Sequence, residues 1–508
     1  MEKNLDVQSN KQKAIMDTPI TIACIGLVVV FVALVCIFPD ATLNAVNVVF
    51  DKVITVMAAP ILWFMLLSLC VCLYIALSKH GNVKLGEGKA EYSMFSYVGM
   101  MLCASLAATA MVYSFIEWSY YYAAPAFGIE PYSTEAAEWS MAYTFFHWGV
   151  SANAVFALTA IPIAYAYHVR KIKSLRVSTI CGEMMKNFKY RKPLEKVIDA
   201  LTIISIVGGL GASLGLGLPL VVAGICKVFG IQESFGLTLI VLGIIAAIFT
   251  FTSIIGIEKG MKRLSDITMY AAIIMVAFIF IAGPTEFIWK EMTYSIGKMI
   301  QHFPEMSTYT DPVRQSGFAE VNTIFVFATA LCYAALMGIF TAKISKGRTL
   351  REMILTEVFG LTIGIFILFG VNGGFGLNAE LTGEFELSKV ENSQGGVMEL
   401  LGTLPLGDVV LPLFYTLVTI GMLTTSLDGA SFTLATSSSK QLDSNGNPNA
   451  KFRVIWCLML TLIPTAIIFV GGEFTAIRYI CILLSIPSVF IIIGMVIGLF
   501  KWFKEDGN

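Results

Sequence analysis

The residues of this chain with the most chemistry to offer lie inside apolar runs. In 421 to 438, GMLTTSLDGASFTLATSS, the hydroxyls of Thr424, Thr425, Ser426 and Ser431 and the carboxyl of Asp428 sit between apolar flanks. A polar cluster at such depth is costly unless satisfied, so it points to an ion site or to a contact with another helix. In 201 to 220, LTIISIVGGLGASLGLGLPL, Gly208, Gly209, Gly211, Gly215 and Gly217 precede Pro219. Such a run suits close helix packing, and it can also unwind and aim carbonyls at an ion. The segment 98 to 109, VGMMLCASLAAT, is thin-walled in the same way and reads as a packing surface.

Aromatic residues add a further signal. Trp118, Tyr120, Tyr121 and Tyr122 follow Glu117, and Phe145, Phe146, His147 and Trp148 stand together. They read either as packing and interface belts or, where they converge, as faces holding a cation that has no hydrogen bond to donate, worth ~1 to 2 kcal/mol each when desolvated. His147 has no metal-ligand neighbour in the sequence and reads as a structural hydrogen-bonding residue. No P-loop, nucleophile elbow, HExxH or dinucleotide fingerprint stands in a credible setting, so no enzymatic chemistry is indicated. The ten cysteines lie mostly in apolar runs without CxxC or Cys/His spacing, which argues against disulfides and structural zinc.

The elements that must position these groups follow from composition. Of 508 residues 56% are hydrophobic and 14% are charged, where a soluble domain carries about 25%; a soluble enzyme is excluded. Apolar runs at 18 to 39, 52 to 77, 93 to 122, 139 to 169, 198 to 223, 234 to 255, 264 to 285, 321 to 345, 350 to 373, 407 to 437, 453 to 471 and 475 to 500 predict an all-α polytopic membrane protein with twelve transmembrane helices. The weakest breaks follow Gly256 and separate Gly471 from Thr475. Residues 1 to 17 are polar and show no cleaved signal peptide. Of the 34 Lys and Arg residues, all but Lys52, Lys227, Lys290, Lys298, Arg314, Lys389 and Arg478 fall in the tails or in alternate loops. That bias places both termini in the cytoplasm. The segment 286 to 302, EFIWKEMTYSIGKMIQH, reads as an interfacial amphipathic helix in a linker from 286 to 320, and 374 to 406 as an external loop or short re-entrant piece.

Five motifs carry a resemblance: EWSYYYAAP at 117 to 125, WSMAYTFFHWG at 139 to 149, SLGLGLPL at 213 to 220, TDPVRQSGF at 310 to 318 and AKISKGRTLRE at 342 to 352. In their order and spacing they resemble the betaine/carnitine/choline transporter family across most of the chain, with EWSYYY, FHWG and KISKGRT nearest to its carnitine/butyrobetaine exchanger branch. The resemblance implies a LeuT-like five-plus-five inverted repeat, at 93 to 285 and 321 to 500, after two peripheral helices at 18 to 77. It also implies a homotrimer in the inner cell membrane, no cofactor, no nucleic-acid partner, and alternating access around a central site.

Carried over residue by residue, Tyr120, Trp148 and Tyr333 match the pocket aromatics. Where family members have a Trp-rich run in the eighth span, this chain reads Phe327, Ala328, Thr329 and Ala330. Losing two indole faces weakens attraction to a quaternary ammonium unless Phe325, Phe327 or Trp118 is recruited or the solute is smaller. For coupling, Thr425 and Ser426 match hydroxyls that bind sodium, with Ala104 and Met422 beside them. Thr268 stands where sodium-independent exchangers place an arginine, and Met337 resembles the sodium-independent branch. The reading taken is a Na+-coupled carrier of a betaine-like or related zwitterionic or quaternary ammonium solute. A sodium-independent exchanger, a small amino-acid transporter and a non-transporting sensor are the alternatives.

Overall fold

The computed structural model describes residues 13 to 470 and 474 to 507, apart from the side chains at 43, 106 to 108, 212, 258 to 259, 463 to 464, 466 to 478 and 480 to 481. The readings placed on the first twelve residues, on Leu106, Ala107 and Ala108, on the break after Gly471 and on Arg478 therefore lie outside the described residues.

The chain is helical almost throughout. Its helices are α1 (Thr18–Ile37), α2 (Pro39–Leu77), α3 (Met94–Ala123), α4 (Thr134–Trp148), α5 (Val150–Ala164), α6 (Val177–Met184), α7 (Arg191–Phe229), α8 (Phe235–Ile255) and α9 (Lys262–Ala282). They continue as α10 (Thr285–Gln301), α11 (Phe303–Thr308), α12 (Ile324–Ile344), α13 (Leu350–Leu355), α14 (Leu361–Thr382), α15 (Ser393–Gly402), α16 (Val410–Ser437), α17 (Ala450–Val470) and α18 (Phe474–Glu505). In a bilayer the helix satisfies its own backbone groups, which is why the apolar runs take this form. Polar punctuation sets the ends: Ser93, Ser133 and Ser234 accept from backbone N–H groups in the first turns of α3, α4 and α8, Thr349 and Glu352 form a capping box, and Gly230 and Gly383 close α7 and α14 in the left-handed region. One short ribbon, β1 (Ile15–Met16) with β2 (Ser439–Gln441), ties the N-terminal segment to the loop after α16.

The expected twelve spans are corrected. Among the described residues ten helices are long and apolar enough to cross a bilayer, or eleven if the pieces Met94–Ser105 and Thr109–Ala123 count as one span. Those two pieces of α3 meet at a bend of 67°, so that run is not the straight helix its length suggests. The run 453 to 471 does form α17, but most of its second half has no described side chains, and it is not one of the counted spans.

The glycine run is also resolved. α7 is a continuous helix from Arg191 to Phe229, with Pro219 inside it, and does not unwind. Its glycines serve approach: a Cβ on Gly208 would press on Leu484 of α18, and one on Gly209 would stand 3.1 Å from Cys332 Cβ and the Tyr333 ring of α12. Around these contacts α5 packs along α12, α16 along α3 and α7, and α14 along α3, while α1 sits at the edge against α17, α7 and α2.

Candidate functional site

Two helices break where these packed elements meet. The first is the bend of α3 between Ser105 and Thr109. The second is Gly149, whose ψ of -145° separates α4 from α5. A Cβ there would press on the Phe145 carbonyl and stand 3.3 Å from the Phe366 ring, so glycine fits the break. Asn153 braces the break: its backbone N–H donates to Gly149 O at 3.3 Å, and its Nδ2 lies 3.1 Å from Gly149 O, 3.3 Å from Trp148 O and 3.0 Å from Thr362 Oγ1. Broken helices in a bilayer are tolerated where the irregular backbone faces protein or a cavity.

A small cavity lies at this place. Its aromatic wall is Trp148, Tyr113, Tyr333, Phe156 and Phe325, and its polar groups are Ser105, Thr109 and Asn153. Thr109 Oγ1 donates to Ser213 Oγ of α7 at 2.7 Å, and the Trp148 and Tyr113 rings stand 6.0 Å apart. Because α5 starts at Val150, its first turn brings Ala152 and Asn153 to the wall, and an unpaired helix start carries partial positive charge.

Of the residues singled out from the sequence, Trp148, Tyr333, Thr329, Ala330 and Phe325 line this cavity together. Three others do not. Phe327 is buried on another face of α12, its ring 5.6 Å from Phe146 and 6.0 Å from His147. Trp118 is buried between α3 and α14, donating Nε1–H to Phe115 O at 2.6 Å and standing beside Gly376. Tyr120 is 43% exposed and is not among the cavity's lining residues, its ring standing 6.3 Å from that of Tyr113. Tyr113, Phe156 and Asn153 were not singled out.

Behind Trp148 lies a buried polar network. Glu117, 1% exposed, accepts from Trp148 Nε1 and from Tyr121 Oη. Tyr121 Oη also meets His147 Nδ1 at 2.6 Å, and His147 Nε2 meets Thr323 Oγ1 at 2.9 Å. His147 is thus held inside protein, and the network joins α3, α4 and the turn before α12. Glu117→Leu strands the Trp148 indole N–H, since the Tyr121 hydroxyl can turn to His147 Nδ1, and is expected to cost about 1 to 3 kcal/mol of stability, read as a fall in Tm of the purified protein; no measurable loss would show that the indole finds another acceptor.

The coupling candidates are partly gathered. Ser426 Oγ of α16 donates to Cys103 O of α3 at 2.6 Å and to Met422 O at 3.0 Å, next to Ala104, which lies 3.7 Å from where a Gly429 Cβ would stand. Thr425 Oγ1 donates to Gly421 O at 2.7 Å, and Thr268 of α9 packs on Gly421. The Met422 side chain faces an outer apolar groove, shared with Phe95, Met269, Trp289 and Ile363. Met337 is buried on α12. Asp428 is a helix contact: it is paired with Arg453 of α17 and accepts from Ser253 Oγ of α8 at 2.5 Å.

Residues 19–508 match the family described as BCCT, betaine/carnitine/choline family transporter. The chain is 33% identical over 444 residues to the uncharacterized transporter YeaV of Escherichia coli (strain K12), covering 87% of this chain and 92% of that protein. It is 29% identical over 505 residues to the carnitine transporter of Acinetobacter baumannii, covering 99% of this chain and 92% of the other. Among solved structures, MhsT in complex with L-phenylalanine shares the fold, with a TM-score of 0.50 at 12% identity over 80% of this chain and 89% of that one.

Proposed function

This chain belongs to the betaine/carnitine/choline family of transporters, and from that premise we propose how it works. It is a secondary transporter, not an enzyme, and moves a betaine- or carnitine-like zwitterion across the inner cell membrane. The observation that carries the reading is the cavity at the two helix breaks, because it offers both halves of a zwitterion a partner. The faces of Trp148, Tyr113 and Tyr333 suit a methylated ammonium, which attracts π-systems and donates no hydrogen bond. The start of α5 suits a carboxylate. Thr329 and Ala330 leave that part of the wall without an indole, so the cationic end rests on the Trp148 side.

The coupling ion in this reading is Na+. Ser426 and Thr425 supply hydroxyl oxygens, and Cys103 O and Met422 O supply carbonyls, all hard donors suited to such an ion. In the same reading both termini are cytoplasmic, the protein is a homotrimer, and its relatives in the exchanger branch differ from it at Thr268.

Uptake of labelled betaine and carnitine into proteoliposomes tests this, with and without a sodium gradient and with and without internal solute. Sodium-stimulated uptake is the expected result. Thr268→Arg is expected to bring a several-fold sodium stimulation down to about 1-fold, since its guanidinium would stand in for the ion. Flux that needs internal solute and ignores sodium would overturn the coupling and favour exchange. No flux under any condition would overturn the carrier.

A further inference from the structure

Glu357 lies in the π-turn Thr356–Gly360 between α13 and α14, inside the apolar span Leu350–Thr382. It is fully buried. Its Oε1 accepts from Thr341 Oγ1 of α12 at 2.9 Å, and its Oε2 has no hydrogen-bond partner among the described residues. π-turns are rare and concentrate at functional positions.

The ionisable groups around it are engaged elsewhere. On α2 the Cys72 thiol donates to Ala154 O at 3.3 Å. On α3 Tyr97 Oη shares a hydrogen bond with Ser345 Oγ at 2.6 Å, and Arg348 lies 4.1 Å over the Tyr97 ring while donating to Tyr92 O at 2.8 Å. At the end of α12 Lys343 donates to Asn445 O at 2.5 Å. On α13 Arg351 donates to Ala76 O at 2.7 Å, and Glu352 is held in the capping box of Thr349. Residues 150 to 164 of α5 and 361 to 379 of α14 contain no ionisable side chain.

A carboxylate held by one hydroxyl, with no cation, in the interior of a membrane-spanning bundle costs several kcal/mol. Binding a proton removes that cost. We propose that Glu357 is a proton-binding site of this transporter, neutral in the present packing, which releases its proton to cytoplasmic water when α5, α12 and the α13–α14 turn part. The step is a simple ionisation: the carboxylic O–H bond breaks, the proton passes to water, and the carboxylate is stabilised by the hydration the parting admits. The hydroxyls of Thr341, Ser345 and Tyr97 link Glu357 along α12 toward the loop carrying Lys346 and Arg348, the end assigned above to the cytoplasm. The proposal rests on that orientation and on the transporter reading, but its first test does not depend on which solute moves.

Infrared difference spectra of full-length wild-type protein and Glu357→Gln at neutral pH provide that test. A protonated carboxylic carbonyl band is expected in the wild type and absent from the variant, and Thr341→Val is expected to shift the band by removing the hydroxyl donor. No band lost in Glu357→Gln, or a band indifferent to Thr341→Val, overturns the site. In proteoliposomes at fixed external pH, changing the internal pH is expected to alter wild-type solute uptake at least about 3-fold and Glu357→Gln uptake less than about 1.5-fold. An equal response of the two proteins overturns the cytoplasmic release even where the band is found. Absence of uptake in both would instead fall on the transporter reading, leaving the infrared result to decide the site.

Discussion

Trp148→Ala is expected to weaken solute binding by about 10- to 100-fold, whereas Trp289→Ala leaves it within about 2-fold. Both substitutions delete an indole, so the contrast depends only on position. Trp148 ends α4 at the Gly149 break, faces the cavity, and is held there by Glu117. Trp289 is 65% exposed on α10 and borders the outer apolar groove. A desolvated face toward a methylated ammonium is worth about 2 kcal/mol, and the area lost with the ring adds to it. Equilibrium binding of labelled betaine or carnitine to the purified variants measures the difference. Similar losses at the two positions would reject the placement of the cationic end against Trp148.

Arg453→Met is expected to cost about 3 to 5 kcal/mol of stability, because it leaves Asp428 charged and unpaired in the bundle. Asp428 is fully buried on α16, Arg453 is almost so on α17, and Ser253 of α8 joins them. Removing both charges is a different matter. The Asp428→Asn, Arg453→Met double variant replaces an ion pair by neutral groups of similar size, and is expected to recover most of the loss. Tm and monodispersity of the two purified variants, ranked against wild type, provide the measurement. A double variant no more stable than Arg453→Met would show that the pair does not act as a unit.

The hydrophobic runs marked nearly every membrane helix, since length and hydropathy are local properties. What they missed was shape. A bend within α3 leaves the composition of the run unchanged, and so does the difference between a straight glycine-rich helix and an unwound one. The side chains that approach the α7 glycines, Leu484 and Tyr333, are remote in sequence. Of the residues the resemblance supplies, Trp148, Tyr333, Thr329, Ala330 and Phe325 line one cavity, and Phe327 lies outside it. Helical phase carries that information: 326, 329, 330 and 333 follow one stripe, and 327 is turned away from it. Asn153 had no such signal, because its task exists only once Gly149 interrupts the helix. Arg453 looked like one more basic residue near a loop, and only the contact with α16 shows what it neutralises.

The bare backbone of Gly209 behind Tyr333 has a consequence for how solute preference changes over generations. A methyl added there would stand 3.1 Å from Cys332 Cβ and the Tyr333 ring, so in the proposed site the ring gives by a few tenths of an ångström toward the cavity. Alanine is one base change away from glycine in the genetic code. A lineage that needs to exclude a larger solute can therefore narrow its choice from outside the binding wall, keeping every group that touches the ammonium intact.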